Sequence, residues 1–266
     1  MTLSRRLHFI IAVLSTTLAT AGLAAAAAPP NPAAIDWQPI GDAFGIARTE
    51  TTVGQFRRFV DATQVRTEAE RQGGGEVYES GWVRKPGWTW RTPFGAGKAA
   101  ADDEPAVHVT FDEAQAFCRW AGGRLPTDAE WVRAAYTEQR ASPPAPWQRG
   151  RTYPYPTGES PAGAQCLDDC GAQARSRAIA HGATLTRGHG HARAGSTPAG
   201  VNGLHEMGGN AWEWVDEPAG AGGPVERRTR GGSWWYGATP MRADHLQSKP
   251  PATAVVYIGF RCARGR

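Results

Sequence analysis

Cysteines are the first side chains of this sequence that could carry chemistry. The chain has four of them, Cys118, Cys166, Cys170 and Cys262. An even number of cysteines indicates two disulfides when a chain is exported. Cys166 and Cys170 are close enough in sequence to bridge locally, and a metal or redox role is the alternative for that pair.

Histidines form a second group. His181, His189 and His191 follow Asp168 and Asp169 within a Gly-rich stretch. Imidazole and carboxylate ligands suit a borderline or hard transition metal, so this stretch is a candidate metal site. The alternative is a surface loop whose histidines are incidental.

The N-terminal sequence predicts export. Arg5 and Arg6 precede an uncharged apolar run over residues 9–28 that ends in small residues. This order is typical of a signal peptide over residues 1–28, followed by a Pro-rich lead-in over residues 29–38. A membrane anchor is the alternative, since the run is long enough to span a bilayer. With cleavage we expect a periplasmic or secreted protein with no stable membrane anchor, exported by the Sec or the twin-arginine route.

The composition favours a loop-rich fold. The chain contains 33 Gly, 20 Pro and 11 Trp, which predicts many turns held by buried aromatic rings. Its length suffices for one large core and not for two large domains. Removal of the signal would take two arginines from the net charge of +4 and leave +2. We therefore expect no nucleic-acid partner, and interpret Arg227–Arg230 as a solvated surface strand.

Three predicted helices must position these groups, and each begins with a capping box. The boxes Thr52–Gln55, Thr110–Glu113 and Thr127–Glu130 are followed by apolar residues at helical spacing. The acidic residues in the boxes are therefore interpreted as helix caps and not as catalytic groups. Residues 72–103 are predicted to be an ordered loop held by buried tryptophans. Residues 255–262 are predicted to be a strand that returns to the core.

Six motifs occur together in one order along the chain. They are IARTETTV (Ile46–Val53), PAVHVTF (Pro105–Phe111), CRWAGGRLPTDAEW (Cys118–Trp131), GLHEMGGNAWEW (Gly203–Trp214), RGGSW (Arg230–Trp234) and GFRC (Gly259–Cys262). In this order they resemble the sulfatase-modifying-factor family, whose name-giving members are the formylglycine-generating enzymes. The resemblance implies one compact α+β domain over residues 39–266, with little regular secondary structure and a fold related to that of C-type lectins.

The resemblance also implies bound calcium in a structural role. One calcium site of the family falls on Glu206, Gly209, Ala211 and Glu213 of this chain. Two carboxylates and two backbone carbonyls are hard oxygen ligands, which suit a hard cation. The alternative is that both glutamates are ordinary surface acids.

The family's cysteines match this chain only in part. A long-range disulfide of the family falls on Cys118 and Cys262. The two catalytic cysteines of formylglycine-generating enzymes, which bind copper, fall on Tyr236 and Met241. Ser233, an active-site position of the family, is present. Because a tyrosine and a thioether cannot replace two thiolates, we expect no formylglycine-generating activity.

Two functions suit such a chain, and the sequence leaves open whether it is an enzyme. The first is an oxidoreductase in the oxidative maturation of an exported peptide, metabolite or protein, similar in type to an exported branch of the family that matures the pyoverdine chromophore. It needs a redox metal, which the sequence does not identify. Ser233, His245 and Asp244 are its candidate catalytic residues, with His245 and Asp244 as acid and base.

The second function is a non-catalytic, calcium-stabilised binding or accessory module that uses the same groove. Tryptophan and tyrosine side chains suit the anchoring of a partner in such a groove. The residues expected to contact substrate or partner are Trp234, Trp235, Tyr236, Met241 and Arg242.

Overall fold

The computed structural model describes residues 1, 30–78, 81–95, 97–170, 184–185, 188–218 and 225–265. The predicted signal peptide therefore lies outside the described residues, apart from Met1. The helices in this part of the chain are α1 (Val53–Thr63), α2 (Glu68–Arg71), α3 (Phe111–Trp120) and α4 (Asp128–Tyr136). The strands are β1 (Trp37–Ile40), β2 (Phe44–Ala47), β3 (Glu76–Tyr78), β4 (Trp82–Arg84), β5 (Thr184–Leu185), β6 (Gly188–His189), β7 (Trp212–Pro218), β8 (Arg227–Arg230), β9 (Gln247–Lys249), β10 (Ile258–Gly259) and β11 (Ala263–Gly265). Three 3-10 turns, Leu167–Cys170, Val201–Gly203 and Thr239–Met241, complete these elements.

The helices begin where their capping boxes predict. Thr52, Thr110 and Thr127 each accept a hydrogen bond from the backbone N–H three residues later, and that later side chain accepts one from the threonine N–H. A further box from Thr67 to Glu70 begins the short α2, which was not predicted. The buried residues follow the expected spacing: Val53, Phe56, Phe59 and Val60 in α1, Ala114, Phe117 and Cys118 in α3, and Trp131, Ala134 and Ala135 in α4.

Two sheets bring distant motifs together. In the sheet of order β1-β2-β11 the last strand pairs antiparallel with β2, so that Ala263 lies opposite Ile46. The second sheet has the order β10-β7-β8-β9 and pairs β10 with β7 in parallel. Glu213 therefore lies opposite Gly259, and the GLHEMGGNAWEW and GFRC motifs become neighbours.

An aromatic core packs the helices onto the closing segment. The ring of Phe117 in α3 lies 5.8 Å from that of Phe56 and 5.3 Å from that of Phe260. Beside these rings a disulfide joins Cys118 to Cys262, with 5.5 Å between their Cα atoms. The pairing that the family resemblance implied is therefore confirmed, as is the single α+β domain.

Three regions differ from their prediction. Residues 72–103 contain the hairpin β3–β4, and although Trp90 is buried, Trp82 is 48% exposed. Arg227–Arg230 does form a strand, but its last residue is not solvated, because Arg230 is buried and pairs with the half-buried Asp128 at 2.6 Å. Only Ile258–Gly259 of the closing run pairs as a strand, although residues 255–262 are all buried. Among the helices described, none is long and apolar enough to cross a membrane.

Candidate functional site

A buried ion pair lies at the centre of the joined motifs. Arg261 donates from Nη2 and Nε to the carboxylate of Glu213 at 2.7 and 2.8 Å, and the indole N–H of Trp131 donates to the same carboxylate at 2.7 Å. The guanidinium also donates to the carbonyls of Ala47 and His205. Burial opposes the charge of Arg261, yet Glu213 raises the pKa of the guanidinium because an adjacent anion stabilises the cation. This pair fixes β7 against the closing segment.

A second buried carboxyl group, Glu50, lies beside this pair. It accepts hydrogen bonds from Nδ2 of Asn210 at 2.5 Å and from the backbone N–H of Ala211 at 2.9 Å. Burial, followed by repulsion from Glu206 and Glu213, raises the pKa of Glu50 well above its ordinary value. The cluster therefore holds more carboxyl groups than Arg261 alone can neutralise.

Glu206 completes the cluster and is held by hydrogen-bond donors. Its carboxylate accepts from the backbone N–H groups of Gly195 at 2.8 Å and Thr197 at 3.0 Å, and from the Thr197 hydroxyl at 2.7 Å. Glu206 and Glu213 are both buried. Neither is therefore the ordinary surface acid of the alternative interpretation.

The carboxylates of the predicted calcium site already have hydrogen-bond partners. Calcium requires carboxylate oxygens that face the ion, whereas those of Glu206 and Glu213 face N–H and O–H donors. In this arrangement an ion at Glu213 would have to displace Arg261 from the carboxylate. No three acidic, His or Cys side chains group as metal ligands within the described ranges. Calcium binding by Glu206, Gly209, Ala211 and Glu213 stays a prediction.

The RGGSW motif turns the chain sharply from β8 into the core. Gly231 has φ +97°, and a Cβ there would lie 2.9 Å from the carbonyl oxygen of Met207, so the turn requires glycine. Ser233 is buried, and its Oγ accepts from the N–H of Trp235 at 3.3 Å. Trp234 and Trp235 are buried as core residues. This differs from the expectation that the two rings face a partner.

Tyr236, at one of the two thiol positions, is half-buried. Its phenol interacts with the side chains of Tyr257 and Gln247. Burial raises the pKa of Tyr236, so the phenol stays protonated near neutral pH and can donate its own O–H. The ring lies edge-on to Trp212, with 5.8 Å between centroids.

His245 contacts the same indole, also with 5.8 Å between ring centroids. Burial lowers the pKa of His245, which keeps the imidazole neutral near pH 7. Nε2 of His245, Nε1 of Trp212 and Oε1 of Gln247 are buried without a hydrogen-bond partner among the described residues. Orphan polar atoms on side chains that contact Trp212 or Tyr236 indicate a place for water or a polar ligand. We name these four residues, Trp212, Tyr236, His245 and Gln247, the Tyr236 site.

The predicted acid–base pair is not a hydrogen-bonded dyad in this structure. Asp244 is exposed, and its carboxylate accepts from Nε of Arg242 at 3.2 Å. His245 instead faces Trp212. Arg242 is exposed as well, and its contact with a substrate or partner stays a prediction.

Met241, at the second thiol position, is fully buried. Its Sδ lies 3.3 Å from Sγ of Cys170, and Cys170 is in turn bridged to Cys166. The second disulfide is thus local, as its spacing indicated. Like the two tryptophans, Met241 lies beneath the surface that a partner would contact.

The predicted histidine metal site is described only in part. His181 and the side chains of His189 and of the two nearby aspartates lie outside the described residues. His191 is buried with Nδ1 4.0 Å from the carboxylate of Glu104. Metal binding by this group therefore stays a prediction.

The sequence did not predict five residues of the site: Glu50, Trp212, Gln247, Tyr257 and Arg261. Arg261 is a charged residue inside an apolar run, and that position is a usable signal, because a buried charge needs a partner. Glu50 lies in the polar IARTETTV motif, where its charge does not stand out. Tyr257 gave no such signal. Its contact with Tyr236 depends on the parallel pairing of β10 with β7, which short strands do not indicate.

The fold and the site together define a domain of the formylglycine-generating-enzyme type in which all four cysteines are paired in disulfides. The family model described as "Sulfatase-modifying factor enzyme 1-like domain" matches residues 20–266. The chain belongs to this family.

Its relatives carry different activities. The chain is 31% identical over 248 residues to hercynine oxygenase of Mycolicibacterium thermoresistibile, covering 83% of this chain and 50% of that protein. It is 29% identical over 251 residues to inactive C-alpha-formylglycine-generating enzyme 2 of Bos taurus, covering 84% and 77%. The structure of PvdO from Pseudomonas aeruginosa matches with TM-score 0.53 and 20% identity over 84% of this chain and 80% of that one, which supports the fold alone. The chain spans about half the length of the hercynine oxygenase.

Proposed function

We propose that this chain acts in the oxidative maturation of an exported peptide, metabolite or protein, by a chemistry other than formylglycine formation. The observation that carries the proposal is that all four cysteines are paired in disulfides. A copper–thiolate centre at Tyr236 and Met241 therefore has no thiolate ligands. The relationship to a hercynine oxygenase supports an oxidative function of another kind within this family.

The Tyr236 site offers two roles in such a reaction. The protonated phenol of Tyr236 donates a hydrogen bond to a substrate oxygen, and the neutral imidazole of His245 accepts a proton at Nε2. Trp212 supplies the ring face between them. Ser233 and Asp244 remain candidate catalytic residues, although the Ser233 hydroxyl already accepts from Trp235 and Asp244 is paired with Arg242.

A deletion strain of the source organism tests the proposal. We expect one exported oxidised product to disappear on deletion and to return with the wild-type gene. Tyr236→Phe and His245→Ala should not restore it, whereas Tyr153→Phe should, because Tyr153 is a buried tyrosine whose hydroxyl accepts from Gln148 away from the site. Unchanged exported products after deletion would contradict the proposed function. Full restoration by both site variants would contradict the roles of Tyr236 and His245.

A purified-protein assay tests the excluded chemistry. Incubation with a cysteine-containing sulfatase peptide, copper and oxygen should give no formylglycine. Turnover of that peptide would show that the disulfide-bonded chain generates formylglycine after all, and would overturn the proposal.

The relationship to a protein named inactive favours a second candidate, the calcium-stabilised binding or accessory module. Metal analysis of the purified protein, before and after reduction with dithiothreitol, separates the two. Copper or iron near one equivalent supports the oxidoreductase. Calcium alone, with a melting temperature that falls on chelation, supports the module and also the predicted calcium site.

A further inference from the structure

Three sulfur atoms from two separate parts of the chain meet beneath the Tyr236 site. Sγ of Cys170 lies 3.3 Å from Sδ of Met241, and Cys166 is bridged to Cys170. All three side chains are at most 1% exposed and share one cluster with Ala164. The atoms of this cluster that could bind a metal ion are therefore soft sulfur ligands.

Met241 is held firmly in this position. The hydroxyl of Tyr136 donates to its carbonyl oxygen at 2.8 Å. A Cβ at Gly208 would lie 2.6 Å from Cε of Met241, and one at Gly232 would lie 3.4 Å from its Cγ. The chain thus leaves room on two sides for this thioether and fixes it against the cysteines.

The cysteine pair is joined directly to the Tyr236 site. The backbone N–H of Leu167, between the two cysteines, donates to the carbonyl oxygen of Tyr236 at 2.9 Å. The pair is separated by 4 positions, against 144 for Cys118 and Cys262. So short a loop restricts the unfolded chain far less, and stability alone is a weak reason for this bridge.

We propose that Cys166, Cys170 and Met241 form a three-sulfur copper(I) site once the Cys166–Cys170 disulfide is reduced. A dithiol reductant breaks the S–S bond with two electrons and two protons and is itself oxidised to a disulfide. The two thiols then bind copper(I) as thiolates, with release of one proton each, and the Met241 thioether is the third ligand. The disulfide form has no thiolate and does not bind the ion.

This proposal deepens the proposed function, because it names a redox centre next to the Tyr236 site. Only the role of this centre in oxidation rests on the proposed function. Copper(I) binding is measured without any substrate. If reduced protein binds no copper(I) but deletion of the gene removes an exported product, only the copper proposal is overturned. If reduced protein binds copper(I) but deletion leaves the exported products unchanged, only the proposed function is overturned.

The test is an anaerobic copper(I) titration of the full chain against a chromophoric chelator. Protein reduced with dithiothreitol and freed of reductant should hold one equivalent, and untreated protein none. Alkylation and mass mapping identify which bridge was opened. Reduced Cys166→Ser/Cys170→Ser should hold none, which also excludes Cys118 and Cys262 as the ligands.

Two methionine variants complete the test. Met241→Leu should weaken copper(I) binding on the order of tenfold or more, because leucine lacks the thioether. Met207→Leu is the matched control, since Met207 is also buried but in a different cluster, and copper(I) binding by this variant should equal that of wild type. Equal binding by the two variants, binding by the serine pair, or no binding by reduced wild type would each overturn the proposal.

Discussion

At the scale of single residues, the buried acids depend on one cation. Replacing Arg261 by Met leaves Glu213 uncompensated and next to Glu50 and Glu206. Breaking one half of a buried pair costs about 3–5 kcal/mol, so urea unfolding of Arg261→Met should show a loss of that size. Arg193→Met is the control, because the Arg193–Asp103 pair is 68% and 49% exposed and should contribute less than about 1 kcal/mol. Similar losses in both variants would contradict this account.

His108 predicts a dependence of stability on pH. Its ring lies fully buried between the carbonyls of Pro93 and Ala254, and burial lowers the pKa of His108 to about 4. As the pH falls below about 6.5, the unfolded chain takes up the proton first. Stability is therefore complete above that pH and is lost as the pH falls toward 4, by about 3 kcal/mol at most.

The measurement for His108 is a comparison of two unfolding curves. The raised pKa of Glu50 acts in the opposite direction, since the folded state binds that proton more tightly. Only the difference between wild type and His108→Gln isolates the histidine. The gap between their unfolding free energies should narrow from pH 6.5 to pH 4, and a constant gap would show that His108 does not titrate as expected.

At the scale of elements, the start of α4 supports the site. Thr127 accepts from the N–H of Glu130 at 3.2 Å, and the helix then directs Trp131 toward Glu213 at 2.7 Å. Thr127→Ala should cost about 1 kcal/mol in unfolding free energy, whereas Thr127→Ser keeps the accepting oxygen and most of the stability. A serine variant as unstable as the alanine variant would show that the cap hydrogen bond is not the cause.

Elements with local rules were predictable, and contacts between distant segments were not. The boxes at Thr52, Thr110 and Thr127 depend on four consecutive residues, and all three helices begin there. β10 has two residues, too few for a period to appear. The contact between Tyr236 and Tyr257 depends on that strand and was therefore not predictable. Tyr236 itself was predictable, because it follows the RGGSW motif. The burial of Trp234 and Trp235 likewise follows from tertiary packing, which the general suitability of tryptophan for binding grooves did not indicate.

At the scale of the whole molecule, the two ends of the domain close on each other. β11 pairs with β2, and Arg261 lies one residue before the half-cystine Cys262 that bonds to α3. The same short segment therefore carries the covalent closure, the counter-ion of Glu213 and the edge of the first sheet. A change that loosens this segment should affect the site before it affects the remaining helices.

The two disulfides provide the clearest whole-molecule prediction, because their loops differ so much in size. By the chain-entropy model, removal of Cys118–Cys262 should cost about 5 kcal/mol and removal of Cys166–Cys170 about 2 kcal/mol. The double alanine variants are matched, since all four cysteines are at most 1% exposed and each pair leaves comparable cavities. Urea unfolding of both variants measures the difference directly. Equal losses in the two variants would contradict the prediction, because they would show that covalent closure of the chain ends is not what stabilises this fold. Packing alone would then hold the closing segment, and with it Arg261, against Glu213.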